Sequence, residues 1–284
     1  MRLSFSDLLS IFVPHYILSA VITTFFVFFL SSGSVVEQNL IFGIILYATC
    51  IVAFNAYNMV FDEDIDSINK PLRPIPSKKI SKGKILSLSI SLFLLSIFLA
   101  ILVNWQLSIL FFAFFIEAII YSTPPLRLRK ILFFHNLNAT LIFGLIPIFI
   151  SRIVTGLILP LEFSFYLISL IFVTATVKDY EDISGEKKFK IKTIPNYFGI
   201  DISNKFILFG YFFLHFFMAL FFIFIKFSSG LLFAAICGII FSLTIYSKLV
   251  NFENSTETKI HSPLVNFVLF FTYLVQLIFI IVPR

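Results

Sequence analysis

The sequence predicts an all-α integral membrane bundle of nine transmembrane helices. Three observations carry that expectation. Only 13% of the 284 residues are charged and 59% are hydrophobic, whereas a soluble domain carries about a quarter charged residues. Apolar runs of about 20 residues recur along the whole chain, and a run of that length crosses the hydrocarbon core as a helix. The alternation of apolar and polar residues that marks the strands of a membrane β-barrel is absent.

Polar punctuation divides the apolar runs at 8–30, 40–59, 85–103, 107–122, 131–150, 158–177, 206–225, 229–248 and 264–282. The first run lacks a basic leader and a small-residue cleavage site, so it reads as helix 1 rather than a signal peptide. Helix 4 is short and carries Glu117, an ionisable group within an apolar span. Intramembrane carboxyls are functional candidates by default. Cys50 and Cys237 both fall in apolar runs, which suits buried thiols better than a disulfide or a metal site.

The 21 Lys and Arg residues are segregated. With nine helices, eighteen of them fall on one side: Arg2, the six from Lys70 to Lys84, Arg127, Arg129, Lys130, Lys178, Lys187, Lys188, Lys190, Lys192, Lys205, Lys248 and Lys259. Only Arg152, Lys226 and Arg284 fall on the other. Cytoplasmic loops retain positive charge, so the N-terminus and the loops after helices 2, 4, 6 and 8 are expected to be cytoplasmic. The net charge of +6 is thereby read as topology and not as a nucleic-acid surface.

Two acidic clusters stand at matching places. Asn58, Asp62 and Asp66 end helix 2 at spacings i, i+4, i+8, which puts them on one face of a continuing helix. Glu63 and Asp64 point elsewhere. Asp179, Asp182 and Glu186 end helix 6 at i, i+3, i+7, again on one face. Each cluster precedes a basic, proline-punctuated segment, Lys70 to Pro76 and Lys190 to Pro195. The pattern suggests a single domain over 1–284 made of two four-helix pseudo-repeats and a ninth helix, with cytoplasmic cap loops. Carboxylates at a helix C-terminus oppose the macrodipole, so six oxygen-bearing groups there call for a compensating cation. Neither cluster contains His or Cys, which favours Mg²⁺ over zinc or copper. Facing clusters of this kind would hold Mg²⁺ ions that bridge a diphosphate.

These motifs resemble those of the UbiA superfamily of intramembrane prenyltransferases. Asn58, Asp62 and Asp66 match the first signature, together with Asn69-Lys70-Pro71-Leu72-Arg73-Pro74-Ile75-Pro76-Ser77. Asp179 and Asp182 match the second, where Glu186 stands in place of the usual third Asp. The stretch Tyr121-Ser122-Thr123-Pro124-Pro125-Leu126-Arg127-Leu128-Arg129-Lys130 resembles the segment after the family's fourth helix. Two departures are visible: Met59 replaces a frequent second acidic residue, and helix 1 reads Phe12-Val13-Pro14-His15 without an Arg before the Pro.

The resemblance implies Mg²⁺-assisted transfer of a prenyl group from an allylic diphosphate to a lipophilic acceptor, in a cell membrane and with no obligatory protein partner. It assigns Asn58, Asp62, Asp66, Asp179, Asp182 and Glu186 to the metal. It assigns Lys70, Arg73, Arg127, Lys130 and Lys178 to the diphosphate, and Tyr121 to the mouth of the site. Geranylgeranyl transfer to geranylgeranylglyceryl phosphate in ether-lipid synthesis is the favoured reaction, with a quinone precursor or a tetrapyrrole as the other acceptors. The 41 Phe residues suit a dry cavity around an allylic cation and suit ordinary lipid contact equally. His135 and His215 read as satisfied interior histidines, and Asn136 and Asn138 as a polar patch without an assignable role. Two non-enzymatic readings compete: a cation transporter, and a degenerate lipid-binding paralogue. A transporter would place its ionisable groups near the midplane on broken helices, which these helix-end clusters do not.

Overall fold

A computed structural model of the chain describes residues 4–32, 38–224, 232 and 235–245, and those residues are helical or loop, without a strand. The elements are α1 (Phe5–Phe12), α2 (Pro14–Ser32), α3 (Gln38–Phe61), α4 (Glu63–Asn69), α5 (Lys82–Val103), α6 (Trp105–Ser122), α7 (Phe134–Thr140), α8 (Ile146–Thr155), α9 (Leu161–Asp179), α10 (Ile183–Lys188), α11 (Ile194–Phe198), α12 (Ile200–Phe224) and α13 (Ala235–Ile245). Among the described residues seven helical segments are long and apolar enough to cross a membrane. They coincide with the first seven expected spans to within a few residues. Only α13 represents the eighth span, and the ninth, 264–282, lies outside the described residues, as do Arg2, Lys226, Lys248, Lys259 and Arg284.

The chain divides into two compact units. The first comprises Met1–Lys130, Ile146–Leu159 and Ser184–Lys190. Its centre is α3, two-thirds buried where the other membrane-length helices are 28–50% buried. Being apolar on every side, α3 can be packed from all directions. Helix α5 lies along it, and Ser89 Oγ donates to the Ala53 carbonyl at 2.6 Å. Expected helix 1 is two helices, α1 and α2. Pro14 has no N–H to give the Ser10 carbonyl, and Val13 turns into the left-handed region at φ 45°. The Asn55 side chain on α3 replaces the missing donor, reaching Ser10 O at 3.3 Å and Ile11 O at 2.8 Å. Asn104 separates α5 from α6 and caps α6 by accepting from Gln106 N at 2.8 Å.

The second unit comprises Ile131–Leu145, Pro160–Ile183 and Ile191–Arg284. Helix α9 packs against α7 and α12. Gly210 permits the close approach of α12, since a Cβ there would lie 2.7 Å from Val173 Cγ2. Polar groups join these helices. Asn136 Nδ2 donates to Phe172 O and Thr176 Oγ1, both at 2.8 Å, and Thr174 Oγ1 lies 2.6 Å from Tyr211 Oη. His215 is a satisfied interior histidine, as expected, bonded to Tyr211 O at 2.7 Å and to Tyr166 Oη at 3.2 Å. Cys50 is a buried free thiol and Cys237 a partly buried one.

Candidate functional site

Both acidic clusters lie where a long helix stops and a short one begins. The continuing helix expected through Asn58, Asp62 and Asp66 is interrupted at Asp62, whose φ, ψ of −102°, 10° separate α3 from α4. The one-residue break leaves the ladder intact around it: Asp62 N–H donates to Asn58 O at 2.9 Å and Asp66 N–H to Asp62 O at 2.7 Å. The second expected helix is broken more widely. Helix α9 ends at Asp179, Tyr180 to Asp182 form a turn, and Glu186 lies in α10. The reason for the first break is visible. Arg127 Nη2 donates to Phe61 O at 2.8 Å, serving a carbonyl at the end of α3 and opposing the negative end of its dipole.

In the first unit the motif carboxylates Asp62, Asp66 and Glu186 are held by arginines. Asp62, 4% exposed, meets Arg129 Nη1 on one oxygen and Arg127 Nη2 on the other, the latter at 3.3 Å. The second nitrogen of Arg129 donates to Glu186 Oε1 at 3.0 Å. One buried guanidinium thus joins a carboxylate of the first motif to one of the second. Asn69 ties the same segments by backbone: its Oδ1 accepts from Gly185 N at 2.8 Å. A Cβ on Gly185 would come within 2.7 Å of the Asn69 amide, so a larger residue there would require the Asn69 side chain to give up its place.

The remaining first-cluster residues are equally placed. Arg73 Nη1 donates to Asp66 Oδ2 at 2.7 Å. Burial pushes the Asp66 carboxyl above its ordinary value, against the attraction of Arg73 and Lys70. Glu63 and Asp64, expected to point elsewhere, pair with Lys82 and Arg127. Burial also pushes Asp64 upward, but the hydrogen bond and charge of Arg127 outweigh it and the carboxyl sits below its usual range. Asn58 Oδ1 accepts from Ser122 Oγ at 3.4 Å. Tyr121 is buried beneath the cluster, where the charges of Arg129, Asp62, Glu117 and Glu186 all act on it. Lys70 is half-buried and Lys130 exposed.

In the second unit Asp179 is 1% exposed. Its Oδ1 meets His135 Nδ1, while Oδ2 is enclosed without a hydrogen-bond donor. His135 is therefore more than the ordinary interior histidine expected, and Asn136 beside it, bonded to α9, helps fix its place. Lys178 and Asp182 are half-buried. Arg129 and Gly185 are site residues to which sequence reasoning assigns no role; Asn69 stands out only by its place in the matched segment, and His135 only as an interior histidine. The Arg127-Leu128-Arg129 repeat was the one available signal for Arg129, and nothing in it ranks one Arg above the other.

Among the described residues no three His, Cys, Asp or Glu side chains gather into a metal set by themselves. The donor chemistry nevertheless fits Mg²⁺: every group in both motifs offers oxygen, and the buried Asp179 Oδ2 has no donor to satisfy it.

The model of the UbiA prenyltransferase family matches residues 20–275. The digeranylgeranylglyceryl phosphate synthase of Saccharolobus solfataricus is 32% identical over 199 residues, 66% of this chain and 67% of that one. The enzyme of the same name from Methanosphaera stadtmanae is 33% identical over 162 residues, 56% of this chain and 58% of that one. The matches thus span between 58% and 67% of these relatives' own length. Among solved structures, a UbiA homologue from Archaeoglobus fulgidus bound to DMAPP and Mg²⁺ has the same fold, with a TM-score of 0.67 at 16% identity over 94% of this chain and 98% of that one.

Proposed function

As this chain belongs to the UbiA prenyltransferase family, we propose that it transfers a geranylgeranyl group from its allylic diphosphate to the hydroxyl of geranylgeranylglyceryl phosphate, making an ether lipid. The observation that carries the proposal is the Asp62–Arg129–Glu186 bridge, which gives the two acidic motifs a shared buried cation. The name borne by the relatives from Saccharolobus solfataricus and Methanosphaera stadtmanae supports the choice of acceptor.

In this reading Asn58, Asp62, Asp66, Asp179, Asp182 and Glu186 hold Mg²⁺. Bound there, Mg²⁺ neutralises the diphosphate and makes it a better leaving group. Lys70, Arg73, Arg127, Lys130 and Lys178, joined by Arg129, take up the remaining negative charge. The acceptor oxygen forms a bond to C1 as the C1–O bond to diphosphate breaks, and the hydroxyl proton leaves. Tyr121, Phe54 and Phe114 offer π-faces to the positive charge that develops on the allyl group: the ring of Phe54 lies 5.5 Å from that of Phe114 and 6.0 Å from that of Tyr121, centroid to centroid. The N-terminus and the loops bearing both motifs are cytoplasmic, and the chain completes nine helices as two four-helix repeats and a last helix. The parallel endings α3–α4 and α9–α10 support the repeat.

The test uses purified protein in detergent with labelled geranylgeranyl diphosphate, Mg²⁺, and geranylgeranylglyceryl phosphate beside a quinone precursor and a tetrapyrrole. Mg²⁺-dependent ether formation, abolished in Asp62→Ala and Asp182→Ala, is expected. Product on one of the other acceptors alone would overturn the ether-lipid assignment. Metal binding without turnover on any acceptor would overturn the enzymatic one.

A further inference from the structure

Prenyl transfer to a hydroxyl releases a proton, and the residues given to the metal and the diphosphate leave nothing to receive it. Seven carboxylates are described in the first unit, and six are neutralised by a cation: Asp7 by Lys79, Asp62 by Arg127 and Arg129, Glu63 by Lys82, Asp64 by Arg127, Asp66 by Arg73, and Glu186 by Arg129. Among the described residues Glu117 alone of the seven has no such partner. Its Oε2 is enclosed and accepts no hydrogen bond, while the residue as a whole is only half-buried. The carboxyl also belongs to α6, a helix long and apolar enough to span the membrane. An unpaired carboxyl in that setting is costly and is rarely kept without use.

Its position suits a reacting hydroxyl. Phe54, Asn58 and Asp62 follow one another at i, i+4, i+8 along α3, so they form one stripe. The Phe54 ring packs on both Phe114 and Tyr121 of α6. Glu117 lies between those two residues in sequence, three after Phe114 and four before Tyr121, on the turn of α6 that faces the stripe. At 1.5 Å per residue, Glu117 stands about 6 Å further into the membrane than Tyr121. A prenyl diphosphate held by its phosphates at Asp62, with its apolar chain in the membrane, would bring C1 to the membrane side of the cluster, toward this turn.

We propose that Glu117 is the general base of the transfer. Its carboxylate takes the proton from the acceptor hydroxyl as the oxygen bonds to C1 and diphosphate departs. The inference rests on the prenyl-transfer reading and adds the residue that completes its proton balance.

The test compares wild type with Glu117→Gln, which keeps size and polarity but accepts no proton, and with Glu117→Asp. Ether formation, affinity for geranylgeranyl diphosphate and the pH–rate profile are measured with Mg²⁺ present. A positioned base contributes about 10²- to 10⁴-fold, so Glu117→Gln is expected to lose about a hundredfold or more in ether formation. Its donor affinity should stay within about threefold, and the acidic limb of the wild-type pH profile should vanish. Glu117→Asp should retain that limb at a rate lowered roughly tenfold. Transfer by Glu117→Gln at the wild-type rate, or a loss of donor affinity that accounts for its lost activity, overturns the proposal. If Glu117→Gln does not fold, the wild-type profile and Glu117→Asp decide it, and a flat acidic limb in wild type overturns it. A wild type that alkylates no hydroxyl acceptor overturns the underlying reading and this one with it; a wild type matched by Glu117→Gln overturns this one alone.

Discussion

Replacing Arg129 by methionine removes the guanidinium while keeping most of the side-chain volume. Arg129 and Asp62 are 8% and 4% exposed and Glu186 is 1% exposed, so water does little to screen their pairing. Removing one partner of a buried ion pair costs about 3–5 kcal/mol, because the charge left behind is uncompensated. Asp62 keeps Arg127 at 3.3 Å, which holds the expected loss toward the lower end. For a chain of this size that is a fall of about 10 °C in unfolding temperature, measured by thermal unfolding of the purified protein in detergent. The double variant Arg129→Met, Glu186→Gln should recover part of the loss, since neutral glutamine needs no cation. Arg129→Lys should recover little, because an ammonium lacks the planar fork that serves two carboxylates at once. An Arg129→Met protein melting within about 1 °C of wild type would refute the reasoning, as a loss that small implies less than about 1 kcal/mol across the bridge.

Gly185→Ala should lower the unfolding temperature through overpacking of about 1–3 kcal/mol against Asn69, and Asn69→Ala in the same protein should relieve the clash. The raised Asp66 carboxyl has a definite sign: the folded state binds its proton more tightly, so its stability contribution is full below the ordinary carboxylate range and is lost as pH rises through the folded value. Asp66→Asn should therefore melt no lower than wild type at pH 7, with any advantage shrinking toward pH 4, in thermal scans without ligand. Glu186→Asp should retain prenyl transfer, measured as labelled product, because the carboxylate survives and the second motif ordinarily ends in Asp; a dead variant would contradict its role as a simple oxygen ligand. Mg²⁺ alone should raise the unfolding temperature little, and Mg²⁺ with inorganic pyrophosphate distinctly more, since the first-unit carboxylates already have cations.

The membrane helices were legible because lipid imposes one rule along the whole span, a long apolar run with satisfied backbone. Helix endings were less legible. Periodicity through Asn58, Asp62 and Asp66 extrapolates a straight helix and has no means of registering Arg127, 66 residues from Phe61, drawing the Phe61 carbonyl. Pro14 did mark a discontinuity, and the apolar sequence on both sides of it hid the break between α1 and α2. Within the site, residues that bear chemistry by their type were found from sequence, whereas those that act through a partner were not. Arg129 is one of several cations in a basic segment until Asp62 and Glu186 are seen on its two nitrogens. His135 is an interior histidine until Asp179 is seen against it.

The same distinction explains how so many carboxylates can be buried together. The expected opposition of the helix dipole does not hold, because the helices break: Asp62 stands at the N-cap of α4, and Glu63, Asp64, Asp66 and Glu186 lie in the first turns of α4 and α10, where the dipole favours negative charge. Asp62, Glu63, Asp64, Asp66 and Glu186 lie among Lys70, Arg73, Lys82, Arg127 and Arg129. Five negative and five positive charges leave the first-unit cluster close to neutral before any ligand arrives, so its burial is tolerable. A diphosphate entering alone would face carboxylates, and Mg²⁺ entering alone would face arginines. On the proposed reading each ion would bring the charge that the other needs, which would favour their arrival together, with Arg73, Arg127 and Arg129 free to turn from carboxylate to phosphate. Glu117 stands apart from this balance, one turn of α6 before Tyr121 and, among the described residues, with an enclosed Oε2 that accepts no hydrogen bond. On the proposed reading, a carboxylate left out of that exchange would keep its oxygen available for a proton while its neighbours hold metal and phosphate.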